Sequence, residues 1–136
     1  MYVDTSALAK LLVPEAESDV LGEHLDSLSE VLVTSEYTLA ELHRSARKHG
    51  VDEPVTDELL DQVDLLAVTT ELLRRAGRLP TAADFLRTAD ALHVATAMTT
   101  GETSFCTYDR RQAAAAASFG FDVVAPGRPA AWFAPG

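Results

Sequence analysis

Short apolar runs alternate with amphipathic stretches along this chain. Tyr2 and Val3 form a brief strand-forming pair. Asp4 ends it, and Thr5 and Ser6 offer capping hydroxyls to a helix over residues 7–12. Residues 15–28 carry Val20, Leu21, Leu25 and Leu28 at helical spacing, which predicts an amphipathic helix. Val31-Leu32-Val33-Thr34 is apolar and β-branched, a buried-strand pattern. Ser35 then caps a predicted helix over 36–49, ended by Gly50. Residues 54–64 read as a helix leading into a third strand at Leu65-Leu66-Ala67-Val68. Thr69 or Thr70 caps the next helix, which stops near Gly77. Thr81-Ala82-Ala83-Asp84 has the form of a capping box and predicts a long helix to about Thr99, stopped by Gly101. Ser104-Phe105-Cys106-Thr107 reads as a fourth strand, followed by Asp109 and an alanine-rich helix to Ser118. Residues 121–124 read as a fifth strand. Residues 126–136, rich in Pro, Gly and Ala, read as an irregular tail docked by Trp132 and Phe133.

Strands alternating with helices predict an α/β fold: a parallel sheet of four to five strands with helices on both faces and right-handed crossovers. At 136 residues, one domain spanning 1–136 is expected. The apolar fraction of 47% is enough for a full core. No apolar run approaches the ~20 residues of a membrane span. The chain starts in a core strand without a leader pattern, and a single cysteine, Cys106, cannot form an internal disulfide. Cytoplasm is therefore the expected location.

A net charge of −10 argues against a nonspecific nucleic-acid coat protein. It leaves room for an enzyme whose site is built from acids. Asp4 ends strand one, and Asp109 lies just past strand four, so both fall at carboxyl ends, where ligands bind in open α/β sheets. Glu41 lies in the second turn of the helix that leaves strand two. Asp90 lies in the second turn of the helix that enters strand four, and that helix runs antiparallel to its strand. Connectivity alone puts all four on one rim. Asp90 also shares a helical face with Leu86 and Val94, an expensive place for an unpaired carboxylate. Glu41 has Arg44 three residues on, so a surface ion pair is the plain alternative for it. Carboxylates gathered with few cations suit a hard divalent metal, Mg²⁺ or Mn²⁺. The scattered His24, His43, His49 and His93 and the lone Cys106 do not suit zinc. His93 reads as a packed helical residue or a brace for Asp90.

Four stretches carry a resemblance: residues 3–8 (Val-Asp-Thr-Ser-Ala-Leu), Glu41 in its helix, residues 86–95 (Leu-Arg-Thr-Ala-Asp-Ala-Leu-His-Val-Ala) and residues 105–110 (Phe-Cys-Thr-Tyr-Asp-Arg). Together they resemble the PIN-domain family, and within it the VapC toxins of bacterial toxin–antitoxin pairs, from Met1 to about Val124. The resemblance implies an α/β/α sandwich, a Mg²⁺- or Mn²⁺-dependent endoribonuclease, a VapB-like antitoxin and a homodimer. It implies an acidic quartet of Asp4, Glu41, Asp90 and Asp109, with Ser6 and Thr107 as supporting polar positions. Some relatives carry a further acid just after the position of Asp109. This chain has Arg110 and Arg111 there, which leaves a second metal site without that ligand.

The chemistry is consistent with this. Phosphodiester hydrolysis needs an activated water and charge neutralisation, which a metal on Asp4, Asp90 and Asp109 supplies. Glu41 can hold metal or position the water as a base. Arg87 and Arg110 are possible phosphate contacts. Single-stranded or looped RNA is the expected substrate, because its backbone can enter a rim pocket. Three other readings have a shape in the sequence. A phosphatase with Asp4 as nucleophile wants a second acid at position six, which is Ser6. A phosphorylated receiver domain wants an acid pair and a late lysine, and no lysine follows Lys48. A PIN scaffold that only binds RNA or a partner would not need the quartet.

Overall fold

The computed structural model describes residues 1–80, 86–129 and 132. Strands β1 (Tyr2–Val3), β2 (Val33–Ser35), β3 (Asp64–Leu66), β4 (Ser104–Cys106) and β5 (Asp122–Val124) form one sheet. Every pairing is parallel and the order is β3-β2-β1-β4-β5. Helices α1 (Thr5–Leu12), α2 (Ser18–Ser27), α3 (Tyr37–Lys48), α4 (Glu53–Leu60), α5 (Thr70–Gly77), α6 (Thr88–Met98) and α7 (Arg110–Ser118) fill the connections.

Alternation along the strands divides the core into two layers. Val3 and Cys106 face one side and pack with Leu8 of α1, Leu21 of α2, Leu42 of α3 and Leu60 of α4. Tyr2 and Phe105 face the other and pack with Val94 and Ala97 of α6 and Ala115 and Ala116 of α7. Helix α5 lies on α6 through Leu72, Ala76, Leu92 and Ala95. The result is an α/β/α sandwich, as the alternating pattern predicts. Each fully buried Leu, Val or Phe contributes about 1.5–3 kcal/mol, and together they fix which strand faces meet which helices.

Several boundaries differ from the sequence reading: β2 is Val33–Ser35 rather than 31–34, and α4 ends at Leu60 rather than 64. Strand β3 is Asp64–Leu66, not 65–68, because it pairs with the short β2: Val33 faces Asp64 and Ser35 faces Leu66, and the Glu36 amide closes the ladder on the Leu66 carbonyl. Helix α2 starts at Ser18, whose hydroxyl accepts the Glu15 amide (2.8 Å), and Val20 points to solvent. Helix α6 starts at Thr88, with Arg87 extended before it. Leu86 therefore reaches the Tyr2–Phe105 cluster from the approach to the helix, not from a helical face shared with Asp90. Asp90 sits in the first turn of α6, not the second. The proposed capping box, residues 81–84, lies outside the described residues.

The tail is tied to the start of the chain. Buried Lys10 pairs with Glu15 and, at 3.1 Å, with Glu17, and its ammonium sits 4.7 Å over the Tyr108 ring. Glu17 also takes Arg128 (3.1 Å), whose guanidinium lies 5.7 Å from the Trp132 ring. A Cβ at Gly127, where φ is +91°, would sit 3.1 Å from Glu17 Cγ, so glycine permits this approach. Trp132 thus meets the docking expectation through Arg128, and Phe133 lies outside the described residues. No described helix is long and apolar enough to cross a membrane.

Candidate active site

The sheet order places the reversal of strand order, all strands being parallel, between β1 and β4, with α1 leaving to one face and α7 to the other. In open parallel sheets this switch point opens a crevice at the carboxyl ends. Asp4 and Thr107 are the first residues past the two central strands and meet there. The Thr107 hydroxyl donates to Asp4 Oδ2 (2.5 Å) and accepts the Asp109 amide (3.0 Å). The Ser6 hydroxyl donates to Asp4 Oδ1 (2.6 Å) and accepts the Tyr108 amide (2.9 Å). Asp4 Oδ1 also caps α1 through the Ala7 amide (3.2 Å). Asp4 is only 3% exposed. Burial pushes its carboxyl above the usual range, against the opposing pull of His93, the Ser6 and Thr107 hydroxyls and the Ala7 amide.

Asp109 caps α7: its Oδ1 accepts the amides of Arg111 (2.9 Å) and Gln112 (3.0 Å). Its Oδ2 faces the Arg87 guanidinium at 3.7 Å, and the same guanidinium lies 3.4 Å from Asp90 Oδ2. Asp90 and Asp109 therefore share one cation. Arg87 is 71% exposed, so these contacts are screened and contribute little to stability. Arg110 is exposed at the first position of α7.

Glu41 does not pair with Arg44. Its Oε1 accepts from Thr5 Oγ1 (2.8 Å) and from His93 Nε2 (2.6 Å), and His93 Nδ1 meets the Tyr2 hydroxyl at 2.7 Å. Burial would raise the Glu41 carboxyl. The His93 hydrogen bond and charge, the Thr5 hydroxyl and Arg87 outweigh it, and the net displacement is downward. The environments of Asp4 and Glu41 thus push two neighbouring acids in opposite directions, a pattern of sites that do acid–base work. The brace expected on Asp90 from His93 falls on Glu41 instead. Thr5 and Tyr2, read from the sequence as a capping hydroxyl and a strand former, are partners in this network. The one available signal was a phenol and an imidazole both assigned to buried faces, where each needs a partner.

The eight residues singled out from the sequence lie along this edge: Asp4, Ser6, Thr107 and Asp109 in direct contact through hydroxyls and amides, Asp90 and Asp109 through Arg87, and Glu41 through Thr5 and His93. Arg110 adjoins Asp109 without a side-chain partner among the described residues. Also among the described residues, no three acidic, His or Cys side chains stand close enough together to hold a metal ion in this conformation. The donor chemistry nevertheless suits a hard cation, with carboxylate and hydroxyl oxygens only. The exposed Arg87 guanidinium already stands as a cation between Asp90 and Asp109. A metal there would take its place.

Thr107 Oγ1 is buried and serves both Asp4 and the Asp109 amide. Thr107→Val keeps the shape and strands both partners, so a loss of about 1–3 kcal/mol is expected. Chemical denaturation of the two proteins measures it, and an unchanged midpoint would mean that water replaces the hydroxyl.

The chain belongs to the PIN-domain family, whose family model, described as PIN domain, matches residues 1–118. It is VapC-like within that family. It is 37% identical over 134 residues to Ribonuclease VapC35 of Mycobacterium tuberculosis, covering 94% of this chain and 98% of that one. It is 40% identical over 134 residues to Ribonuclease VapC46 of the same organism, covering 93% and 97%. Its fold matches the crystal structure of Mycobacterium tuberculosis VapC20, titled a sarcin-ricin loop cleaving toxin, with a TM-score of 0.74, 20% identity and coverage of 92% and 98%. A toxin–antitoxin complex from Klebsiella pneumoniae matches with a TM-score of 0.71 at 21% identity, covering 90% and 94%.

Proposed function

We propose that this protein is an endoribonuclease, the toxin of a toxin–antitoxin pair, and that it hydrolyses RNA phosphodiester bonds with Mg²⁺ or Mn²⁺ at the rim of Asp4, Glu41, Asp90 and Asp109. The observation that carries the reading is the linked set at the switch point: Asp4 tied through Thr107 to Asp109, and Asp109 joined to Asp90 by one exposed cation. The ribonuclease names of relatives aligned over almost their whole length support it.

Asp4, Asp90 and Asp109 would hold the metal. When bound, the metal neutralises charge at phosphorus and lowers the pKa of a coordinated water. Ser6 and Thr107 orient the Asp4 carboxylate. Glu41, held in its ionised form, accepts a proton from the attacking water. Arg87, displaced from the two aspartates, and the exposed Arg110 are placed to contact phosphate oxygens. The reading predicts cleavage of RNA by the purified protein with Mg²⁺ or Mn²⁺ and none in chelator. Attack by water leaves a phosphate on one terminus and a free hydroxyl on the other. Products ending in a 2′,3′-cyclic phosphate, or full activity in chelator, would replace water by the ribose hydroxyl as nucleophile and remove the metal.

The partner reading follows from the same rim. A VapB-like antitoxin would inhibit by setting a basic side chain among the carboxylates, an arginine above all, because its planar fork pairs with two of them. Alanine at the basic positions of the antitoxin's docking segment should release the block, and intact inhibition would move the block elsewhere. The homodimer and the cytoplasmic location expected from the resemblance belong to this proposal, and sedimentation of the purified protein tests the first.

A further inference from the structure

Glu41 uses its two carboxylate oxygens unequally. Both donors recorded for it, Thr5 Oγ1 at 2.8 Å and His93 Nε2 at 2.6 Å, fall on Oε1. Oε2 receives no hydrogen bond from a described residue. Two donors on one oxygen fix the carboxylate plane and leave the second oxygen for something else.

The imidazole that does this is itself fixed. His93 is 3% exposed, among the buried polar residues of α6. Glu41 as a carboxylate can only accept, so Nε2 carries a proton. The other ring nitrogen, Nδ1, meets the Tyr2 hydroxyl at 2.7 Å. Tyr2 is fully buried in the central strand and crosses the His93 ring edge to face, with centroids 6.0 Å apart. Tyr37 flanks the same ring at 6.5 Å. The line Tyr2–His93–Glu41 therefore runs from the middle of the sheet to its carboxyl edge. It crosses β1, α6 and α3, none of which is adjacent to another in sequence.

We propose that His93, backed by Tyr2 and assisted by Thr5, is a positioning residue for RNA cleavage: it holds Glu41 by Oε1 so that Oε2 is the working oxygen. This rests on the assignment of Glu41 to the reaction. His93 touches neither substrate nor metal in this scheme, so it acts on turnover and not on RNA binding.

The test is a double-mutant cycle on cleavage at saturating Mn²⁺, with Glu41→Gln as the second arm. His93→Leu should lower kcat by roughly 10–100-fold, the usual cost of losing a group that orients a site carboxylate, with KM for RNA unchanged. His93→Gln, whose amide N–H reaches toward the Nε2 position, should recover most of that loss. In the Glu41→Gln background, His93→Leu should cost nothing further. An equal cost in both backgrounds would make His93 a packing residue and overturn the proposal, even with Glu41→Gln itself strongly slowed. A fully active Glu41→Gln would instead remove Glu41 from the reaction, and the proposal with it. Should His93→Leu fail to fold, Thr5→Val carries the same cycle from the other donor: a smaller kcat loss that vanishes beside Glu41→Gln supports the proposal, and an additive loss overturns it.

Discussion

Asp4→Asn is expected to lower RNA cleavage by roughly 10²–10³-fold, the scale on which charge-stabilising groups act in mutagenesis. The substitution is nearly isosteric and keeps an oxygen for the Ser6 hydroxyl and the Ala7 amide. It removes the charge at the centre of the rim. The loss of activity should come without a loss of stability at neutral pH in chelator. Burial raises the Asp4 carboxyl above its ordinary value. A group raised in the fold contributes stability that is fully present below its unfolded pKa and is lost as pH rises through the folded one. The parent loses that contribution as pH rises above the ordinary carboxylate range, whereas the neutral asparagine never titrates. The variant should therefore melt no lower than the parent at pH 7, and its relative advantage should shrink as pH falls toward 4. Cleavage rates with matched melting curves at both pH values measure this. A destabilised and fully active Asp4→Asn would make Asp4 a helix cap and nothing more.

The second large effect concerns Asp90. A cation held at 100 times its Kd adds about 2.7 kcal/mol to the state that binds it. For a domain of this size that is on the order of 10 °C in melting temperature. The parent should show such a rise with saturating Mg²⁺, and Asp90→Asn should show less than half of it. In chelator the two should differ little. The charge repulsion relieved by removing Asp90 is already offset by the Arg87 guanidinium 3.4 Å away, and that exposed contact contributes at most about 1 kcal/mol. Melting both proteins in chelator and in Mg²⁺ gives the four temperatures required. Equal responses to Mg²⁺ would leave Asp90 outside the cation site.

The architecture was legible because alternation of strand and helix leaves few topologies, and right-handed crossovers select among them. The placement of Asp4 and Asp109 was legible for the same reason: Asp4 follows directly on β1 and Asp109 comes three residues after the end of β4, so the chain itself delivers both to the carboxyl edge. What the sequence hid was pairing between distant elements. Glu41 has Arg44 one turn away, and local spacing alone favours that ion pair. The fold turns the carboxylate toward Thr5 and His93 instead, 36 and 52 residues away along the chain. His93 lies one turn beyond Asp90 and suggested a brace within α6, but its ring points away from that helix to a phenol in β1. The start of α6 was misplaced because the Thr-Ala-Ala-Asp pattern at 81–84 has the form of a cap, while Arg87 is extended and Leu86 is drawn to the core. Strand β3 starts one residue earlier and ends two earlier than read, because a three-residue partner strand sets its register, which no local pattern encodes.

Arg87 carries a consequence for experiments on the site. In the proposed function a metal on Asp90 and Asp109 would have to displace this guanidinium, which lies 3.4 Å from one and 3.7 Å from the other. The most direct measurement is calorimetric titration of Mn²⁺ into the cation-free parent, Asp4→Asn and Asp109→Asn. The parent should bind Mn²⁺ with heat that saturates, and both variants should lose most of that binding while remaining folded by circular dichroism. Equal Mn²⁺ binding by all three proteins would contradict an acidic rim that holds the catalytic cation.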